Sequence, residues 1–346
     1  VLALTGSNGK TTTKELIHSI LSTTFNVWAT PGNYNNHIGV PLTMLGLREE
    51  HDMAIIEMGA SGLKEIELLC KIAKPTEGFI TNIGLAHIEG FGGVDNILKG
   101  KTELYEYLRK KSGLIYLHAD DAKLSKVITG YPHIYSYAFS ELLDGLDNQV
   151  LARLKTHGDF IEMELLDQTN NESQLVTVRS DMYGDYNALN ILVAIAVGRN
   201  HGVSWERIVE GVFQYLPKNN RSQILELGGM RIVLDAYNAN PTSMQHALNA
   251  FRKVNGKKCA ILGTMNELGE ETEKYHASIL STAQEIGLDQ VVLVGEHWPE
   301  INDVLHYSEV NDLIDDHHFL IEARFENILI KGSRSIRLEK ILQIFE

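Results

Sequence analysis

Eight residues near the start of the chain, TGSNGKTT from Thr5 to Thr12, constrain the fold more than any other segment. They lie between a short apolar run, Val1 to Thr5, and a helical pattern from about Thr12 to Leu21. That is strand, glycine-rich loop, helix. A phosphate needs converging backbone N–H donors, and glycines let the backbone come close and bend sharply. The helix N-terminus adds its partial positive charge. In such a loop Gly6, Ser7, Asn8, Gly9 and Thr12 cradle the phosphates, Lys10 reaches the β- and γ-phosphates, and the Thr11 hydroxyl ligates Mg²⁺. The general phosphate loop has its first glycine five residues before the glycine of GKT. Here that place is Leu4, so the loop is a shorter variant. It points to a nucleotide and is silent about the reaction.

The same alternation recurs along the chain. MAIIEMG near Ile55 reads as a strand, Leu63 to Ile72 as a helix, and GFITNIG near Ile80 as a strand. A charged helix follows from about Val94 to Lys111, then the strand GLIYLH. Apolar runs separated by helices of this size imply parallel strands with crossover helices. From about Asn148 to Ser180 the pattern turns to alternation, with a polar turn at DQTNNES, and predicts antiparallel strands added to the same sheet. Helices follow over Tyr186 to Asn200 and Ser204 to Tyr215.

A length of 346 residues suits two domains. PKNNR, from Pro217 to Arg221, interrupts the periodicity and marks their boundary. A central domain over 1–218 and a second over 219–346 are expected. The second opens another series: RIVLDAY, a helix over Thr242 to Val254, KKCAILG, a helix over Glu271 to Ile286, QVVLVG, ENILIKGS and a closing helix from Ser335. The fold class is α/β, a P-loop-type mostly parallel central sheet with added antiparallel strands, followed by a smaller Rossmann-like α/β domain.

A formal net charge of −14 disfavours nucleic acid and anionic membrane surfaces as partners, since both want an excess of Lys and Arg. No apolar run is long enough to cross a bilayer. Cys70 and Cys259, far apart, build neither a disulfide framework nor a zinc cluster, which favours a reducing compartment, the cytoplasm. The chain opens with valine directly into a strand, so a natural N-terminus upstream is expected.

Acidic and histidine groups follow the next strands. Glu57 ends AIIE, where a Mg²⁺-binding carboxylate would sit at the carboxyl edge of a parallel sheet. His87 and Glu89, in TNIGLAHIEGFG, follow the next strand and could reach the same crevice. Taken singly, Glu57 could face water and His87 could be structural; together the three strengthen one another. Lys101, in KGKTELYEYL, reads on chemistry alone as a solvated helix lysine.

These segments together resemble the Mur ligases, and within them the branch that adds D-alanyl-D-alanine to the UDP-N-acetylmuramoyl-tripeptide. The resemblance rests on TGSNGKTTTKE, TPGNYNNHIGVPLT, EMGAS, TNIGLAHIEGFG, KGKTELY, YNALN, DAYNANPTSM, MNELGEE and KGSRS, in order, to Arg334. It implies that Lys10 and Thr11 hold the ATP phosphates and a first Mg²⁺, with Glu57 as its carboxylate ligand. His87 would help bind a second Mg²⁺. Lys101 matches a lysine that the family carbamylates with CO₂, turning a cation into an anionic oxygen ligand. Asn33 and Asn36 would line the active site, and Asn187 and Asn190 would border the adenine. Arg221 and Asp235 would grip the nucleotide; Asn238, Asn240 and Ser243 would shape the cleft; Lys331 and Arg334 would face the dipeptide. The sequence departs from many relatives in carrying Tyr186-Asn187 where they have His-Asn. The family's N-terminal uridine-nucleotide domain has no counterpart, so a truncated chain is expected, a monomer that binds ATP but is nearly inactive on the full substrate.

The implied reaction is carboxylate–amine ligation. The terminal carboxylate of the tripeptide takes the γ-phosphoryl group of ATP, and the amine of D-alanyl-D-alanine displaces phosphate from the acyl phosphate. Positioning and charge neutralisation suffice for the phosphoryl step, without a protein nucleophile. A sister ligase is the nearest rival, yet the DNPR-like string of the diaminopimelate- or lysine-adding relative is missing. A folylpolyglutamate synthetase fits EGFG and YNANPTSM poorly. A non-catalytic nucleotide-binding module need not retain Lys10, Thr11, Glu57, His87 and Lys101 together. No GxGxxG follows a strand, against a dinucleotide dehydrogenase.

Overall fold

The computed structural model describes residues 1–140, 149–157, 160–167, 174–302 and 304–345. They form two compact units. The first holds Val1–Gly84, Gly90–Asp181 and Tyr186–Tyr215, the second Leu85–Glu89, Met182–Asp185 and Leu216–Glu346.

The first unit is built on a nine-stranded sheet. Its strands are β1 (Leu2–Thr5), β2 (Val27–Ala29), β3 (Met53–Glu57), β4 (Glu77–Ile80), β5 (Leu114–His118), β6 (Ile134–Phe139), β7 (Gln149–His157), β8 (Phe160–Asp167) and β9 (Gln174–Ser180). The spatial order is β2-β3-β1-β4-β5-β6-β7-β8-β9. Strands up to β7 pair in parallel, and β7-β8-β9 form an antiparallel meander. The alternation read from the sequence is therefore borne out, with one refinement: β7 itself joins β6 in parallel. The predicted turn DQTNNES falls, after Asp167, outside the described residues.

β1 lies between β3 and β4, so the chain steps to one side of β1 and then returns to the other. Open α/β sheets bind ligands beyond the carboxyl ends of the strands at such a switch point. The register makes the ends level: Leu4 is opposite Glu57, and Thr5 opposite Ile80. The helix Lys10–Leu21 buries Leu16, Ile17, Ile20 and Leu21 completely. Asn187–Asn200 is apolar around most of its circumference, as a helix buried on all sides must be.

The second unit has a six-stranded sheet. Its strands are β10 (Gln223–Leu227), β11 (Met230–Asp235), β12 (Lys258–Gly263), β13 (Gln290–Val294), β14 (Leu305–Tyr307) and β15 (Asn327–Lys331), in the order β10-β11-β15-β12-β13-β14. Among the described strands of this sheet only β10 and β11 pair antiparallel, as a hairpin turning at Gly228 and Gly229, both with positive φ. Ile232, Leu234, Ile261, Val292, Ile328 and Ile330 carry the core. The closing helix expected from Ser335 is a 3₁₀ segment over Leu338–Ile344 instead, entered through Arg337 in the left-handed region. Its Leu338 and Ile341 still plug the core.

Leu16→Ala should lower the stability of the first unit by about 2–5 kcal/mol through a core cavity, whereas Leu45→Ala should change it by less than about 0.5 kcal/mol. Leu16 is 0% and Leu45 82% exposed. Urea unfolding followed by circular dichroism reads both.

Candidate functional site

β1 ends at Thr5, and the chain turns through Gly6 (φ 143°) and Gly9 (φ 79°) into the helix Lys10–Leu21. Neither glycine has room for a side chain. A Cβ at Gly6 would lie 2.0 Å from Thr81 Oγ1, and one at Gly9 would lie 2.5 Å from Asn190 Oδ1. The loop is braced by residues following β4. Ser7 N–H donates to Asn82 O (3.0 Å), Asn8 N–H to Asn82 Oδ1 (3.0 Å), and Thr81 Oγ1 to Asn8 O (2.6 Å). The Ser7 hydroxyl donates to Gly84 O (2.9 Å). Thr81 and Asn82 were legible only as part of TNIG. Lys10 Nζ rests on the loop itself, donating to Gly6 O (2.7 Å) and Ser7 O (3.2 Å).

Glu57, level with this loop, is 1% exposed. Its Oε1 accepts from Thr11 Oγ1 (3.2 Å) and Asn35 Nδ2 (2.7 Å). Its Oε2 is buried with no hydrogen-bond partner among the described residues. A buried carboxylate oxygen left without a partner is costly, and a cation would relieve it. The donor set, a carboxylate and a threonine hydroxyl beside a phosphate loop, fits Mg²⁺, which takes few protein oxygens and completes its shell from phosphates and water.

Lys101 corrects its reading as a solvated lysine. It is 0% exposed on the buried face of the helix Val94–Lys110. Its Nζ donates to Ala60 O (2.9 Å) and lies 5.1 Å from the centre of the Phe91 ring. Burial, and then the charge of Lys10, hold its pKa well below the ordinary lysine value.

The asparagines divide. Asn187 and Asn190 are buried and joined, Asn190 Nδ2 to Asn187 Oδ1 at 2.8 Å. Thr13 Oγ1 also donates to Asn190 Oδ1 (3.0 Å), so the pair abuts the start of the phosphate helix. Asn33 and Asn36 are exposed, and Asn36 Oδ1 accepts from Ile38 and Gly39 N–H (3.0 and 2.9 Å) just before the helix Gly39–Leu45. The member of that string that touches Glu57 is Asn35, which the sequence reading passed over.

In the second unit His87 (φ 55°) pairs through Nδ1 with Glu267 Oε2 at 2.5 Å. Glu267, also left-handed at φ 63°, is held below the usual carboxylate range by that hydrogen bond. Its carbonyl accepts from Glu89 N–H (3.3 Å), and Thr242 Oγ1 accepts from Leu85 N–H (3.0 Å). Segment 85–89 is thus gripped by the MNELGEE turn and by the start of the helix Pro241–Arg252. Glu267 was visible as part of a motif, without a role.

Asp235 and Lys331, expected on different ligands, form an ion pair at 2.5 Å in which Lys331 is buried and Asp235 partly so. Ser222 N–H donates to Asp235 Oδ1 (3.1 Å), and Lys331 Nζ lies 3.4 Å from Asn238 O. The Arg221 guanidinium stacks 3.7 Å from the centre of the Tyr237 ring. Asn240 and Ser243 form a reciprocal capping box on the helix Pro241–Arg252. Arg334 is exposed and pairs with Glu339 at 2.5 Å.

Residues 4–198 match the family described as the Mur ligase middle domain. The chain belongs to the Mur ligases. Residues 220–334 match the Mur ligase, glutamate ligase domain. This Mur ligase is 32% identical to the UDP-N-acetylmuramoyl-tripeptide–D-alanyl-D-alanine ligase of Bacillus subtilis (strain 168), over 99% of the chain and 75% of that protein. It is 31% identical to the Escherichia coli (strain K12) ligase of the same name, over 100% of the chain and 76% of that protein. Among solved structures it is similar to MurF from Acinetobacter baumannii, with TM-score 0.86 at 31% identity, covering 99% of this chain and 76% of that one. MurF ligase from Thermotoga maritima, in complex with ADP, gives TM-score 0.84 at 28% identity, covering 99% and 78%. A Mycobacterium tuberculosis folylpolyglutamate synthase shares the fold at 12% identity, with TM-score 0.70, covering 97% and 88%.

In this Mur ligase, Gly9→Ala should weaken ADP binding at least about tenfold, about 1.4 kcal/mol, because the new methyl group displaces Asn190 and strains a left-handed residue. Calorimetric titration with ADP checks it, and unchanged affinity would show that the loop tolerates a side chain. Lys331→Met should destabilise the second unit by about 3–5 kcal/mol by stranding Asp235, read as a lower urea midpoint.

Proposed function

We propose that this chain carries the ATP-dependent joining of D-alanyl-D-alanine to UDP-N-acetylmuramoyl-tripeptide, a carboxylate–amine ligation of peptidoglycan precursor synthesis that gives ADP and phosphate. The observation that carries the reading is Glu57: a buried, half-unpartnered carboxylate level with a phosphate loop at the sheet's switch point. Such a group stabilises a cation on a transferring phosphoryl group and little else. The relatives named above add the acid and the amine.

ATP supplies the phosphoryl group that converts the unreactive carboxylate into an acyl phosphate, from which the amine displaces phosphate. The chain's own part is to bind, neutralise and position. Gly6, Ser7, Asn8, Gly9 and Thr12 wrap the phosphates with backbone donors, and Lys10 leaves the loop carbonyls for phosphate oxygens. Thr11 and Glu57 hold the first Mg²⁺. Asn187 and Asn190 steady the loop from the adenine side. Asn33 and Asn36, with Asn35, line the acid substrate's approach.

Lys101 is read as carbamylated. Its neutral amine would attack CO₂, forming a C–N bond as one C=O π bond opens onto oxygen and one N–H proton passes to water, so that the side chain would end in anionic carbamate oxygens that suit a hard cation. Its depressed pKa supports the attack, since the ammonium form has no lone pair. His87 is read as a cation ligand through Nε2, because a histidine that gives its other ring nitrogen to a carboxylate is pre-set for a metal. The resemblance further assigns Arg221 and Asp235 to the nucleotide, Asn238, Asn240 and Ser243 to the cleft, and Lys331 and Arg334 to the dipeptide. Two buried cysteines with thiol pKa values pushed up by burial suit a reducing cytoplasm, because neither is poised to oxidise.

Phosphate release from ATP and Mg²⁺ tests the reading, with UDP-N-acetylmuramoyl-tripeptide present and D-alanyl-D-alanine present or withheld, on the chain joined to a uridine-nucleotide domain. Release should require both substrates; release indifferent to D-alanyl-D-alanine would assign a different amine. Lys10→Ala should weaken ATP binding by at least about tenfold, about 1.4 kcal/mol. Unchanged affinity would remove the loop from the account.

A further inference from the structure

Lys14 sits one turn beyond Lys10 on the phosphate helix, and its side chain is completely buried. A buried ammonium is costly unless its donors are met, and an apolar residue would fill the same place without that cost. Its Nζ donates to Thr30 O (2.6 Å) and Gly32 O (2.9 Å) and pairs with Glu15 Oε1 (2.8 Å). Both carbonyls belong to the segment that leaves β2 and carries the asparagines. Two hydrogen bonds and one ion pair thus meet the ammonium, and both hydrogen bonds hold that segment against the helix.

The segment runs directly to Glu57. The Thr30 hydroxyl accepts from Glu57 N–H (2.9 Å), and Thr30 N–H donates to Ile55 O (2.9 Å). Further along, Asn35 Nδ2 donates to Glu57 Oε1 (2.7 Å), while Gly59 N–H donates to Asn35 O (2.7 Å). Glu57 is therefore fixed at its backbone by Thr30 and at its carboxylate by Asn35 and Thr11. Thr11 stands on the phosphate helix, and Thr30 and Asn35 are tied to the same helix through Lys14. The ring of contacts closes: helix, Lys14, loop, Glu57, Thr11, helix.

We propose that Lys14 is a positioning residue of the ligase reaction: it holds the Thr30–Asn35 segment so that Asn35 occupies Glu57 Oε1 and leaves Oε2 to the cation. The proposal rests on the reading of Glu57 as the cation's carboxylate, and it adds a residue that touches neither nucleotide nor cation. Without Lys14 the two carbonyls lose their donor, the segment shifts, and the amide that orients the carboxylate goes with it. The phosphate loop itself, braced by Thr81 and Asn82, is untouched.

The test titrates Mn²⁺ into the chain at saturating ADP and follows free Mn²⁺ by electron paramagnetic resonance, with ADP affinity measured separately in the presence of EDTA. Outer-shell partners of a metal ligand are worth about 10–100-fold in metal affinity, so Lys14→Met should weaken Mn²⁺ binding by about that factor and leave ADP affinity without cation within about twofold. A role in stability alone would lower the melting temperature without this split. Asn35→Ala, at a partly exposed position, should reproduce the Mn²⁺ loss, and the double variant should bind no more weakly than the worse single one, because both act through one contact. Folded Lys14→Met with unchanged Mn²⁺ affinity overturns the proposal, as do additive losses in the double variant. If Lys14→Met does not fold, unchanged Mn²⁺ affinity in Asn35→Ala overturns it. Glu57→Gln separates the two levels: its affinity should fall, and if it does not, the reading of the site fails and the positioning role with it.

Discussion

A carboxylate oxygen buried without a partner among the described residues is the constraint around which the first unit is arranged. Leaving Glu57 Oε2 buried without a hydrogen-bond partner is costly, and on the function proposed above a cation completed by phosphate oxygens would relieve it. The parallel register places Glu57 level with the end of β1, so strand pairing delivers the carboxylate to the phosphate loop. Thr11 and Asn35 then set its orientation. Fold, burial and ligand chemistry meet in one side chain.

The two buried lysines of the same unit illustrate opposite uses of burial. Lys14 donates to two carbonyls and pairs with a carboxylate, and so holds a segment in place. Lys101 has a single carbonyl and an aromatic face, and burial with Lys10 nearby pushes it toward the neutral amine. In the second unit Lys331 follows the first pattern, its charge met by Asp235. A protein of formal charge −14 can thus bind a polyphosphate, because a few cations and backbone dipoles are focused where they count.

Much of this was legible in the sequence, since its signals are local. Apolar runs and glycine punctuation reported β1, β3 and β4, and TGSNGKTT reported the loop, because a strand end, two left-handed glycines and a helix start leave few other residue choices. Glu57 was legible from its place at a strand end. Long-range partners were not. Nothing in TPGNYNNHIG distinguishes Asn35 from Asn33 or Asn36, because which amide meets Glu57 depends on how Lys14 and Gly59 pin the segment in space. Lys101 looked solvated because KGKTELYEYL is charged throughout, and only the packing shows which face is buried. The closing segment from Ser335 lacked a helical stripe long enough to separate a 3₁₀ run from an α-helix. Short edge elements such as β10 and β14 escaped for the same reason.

The central claim is that the phosphate loop and Glu57 serve phosphoryl transfer to a carboxylate. Oxygen-18 placed in the terminal carboxylate of the tripeptide, followed by ³¹P NMR into the phosphate released during ligation, tests that most directly. An acyl phosphate requires one carboxylate oxygen to leave with phosphorus, so the account predicts a single labelled oxygen in the phosphate. Unlabelled phosphate alongside ligated product would contradict it.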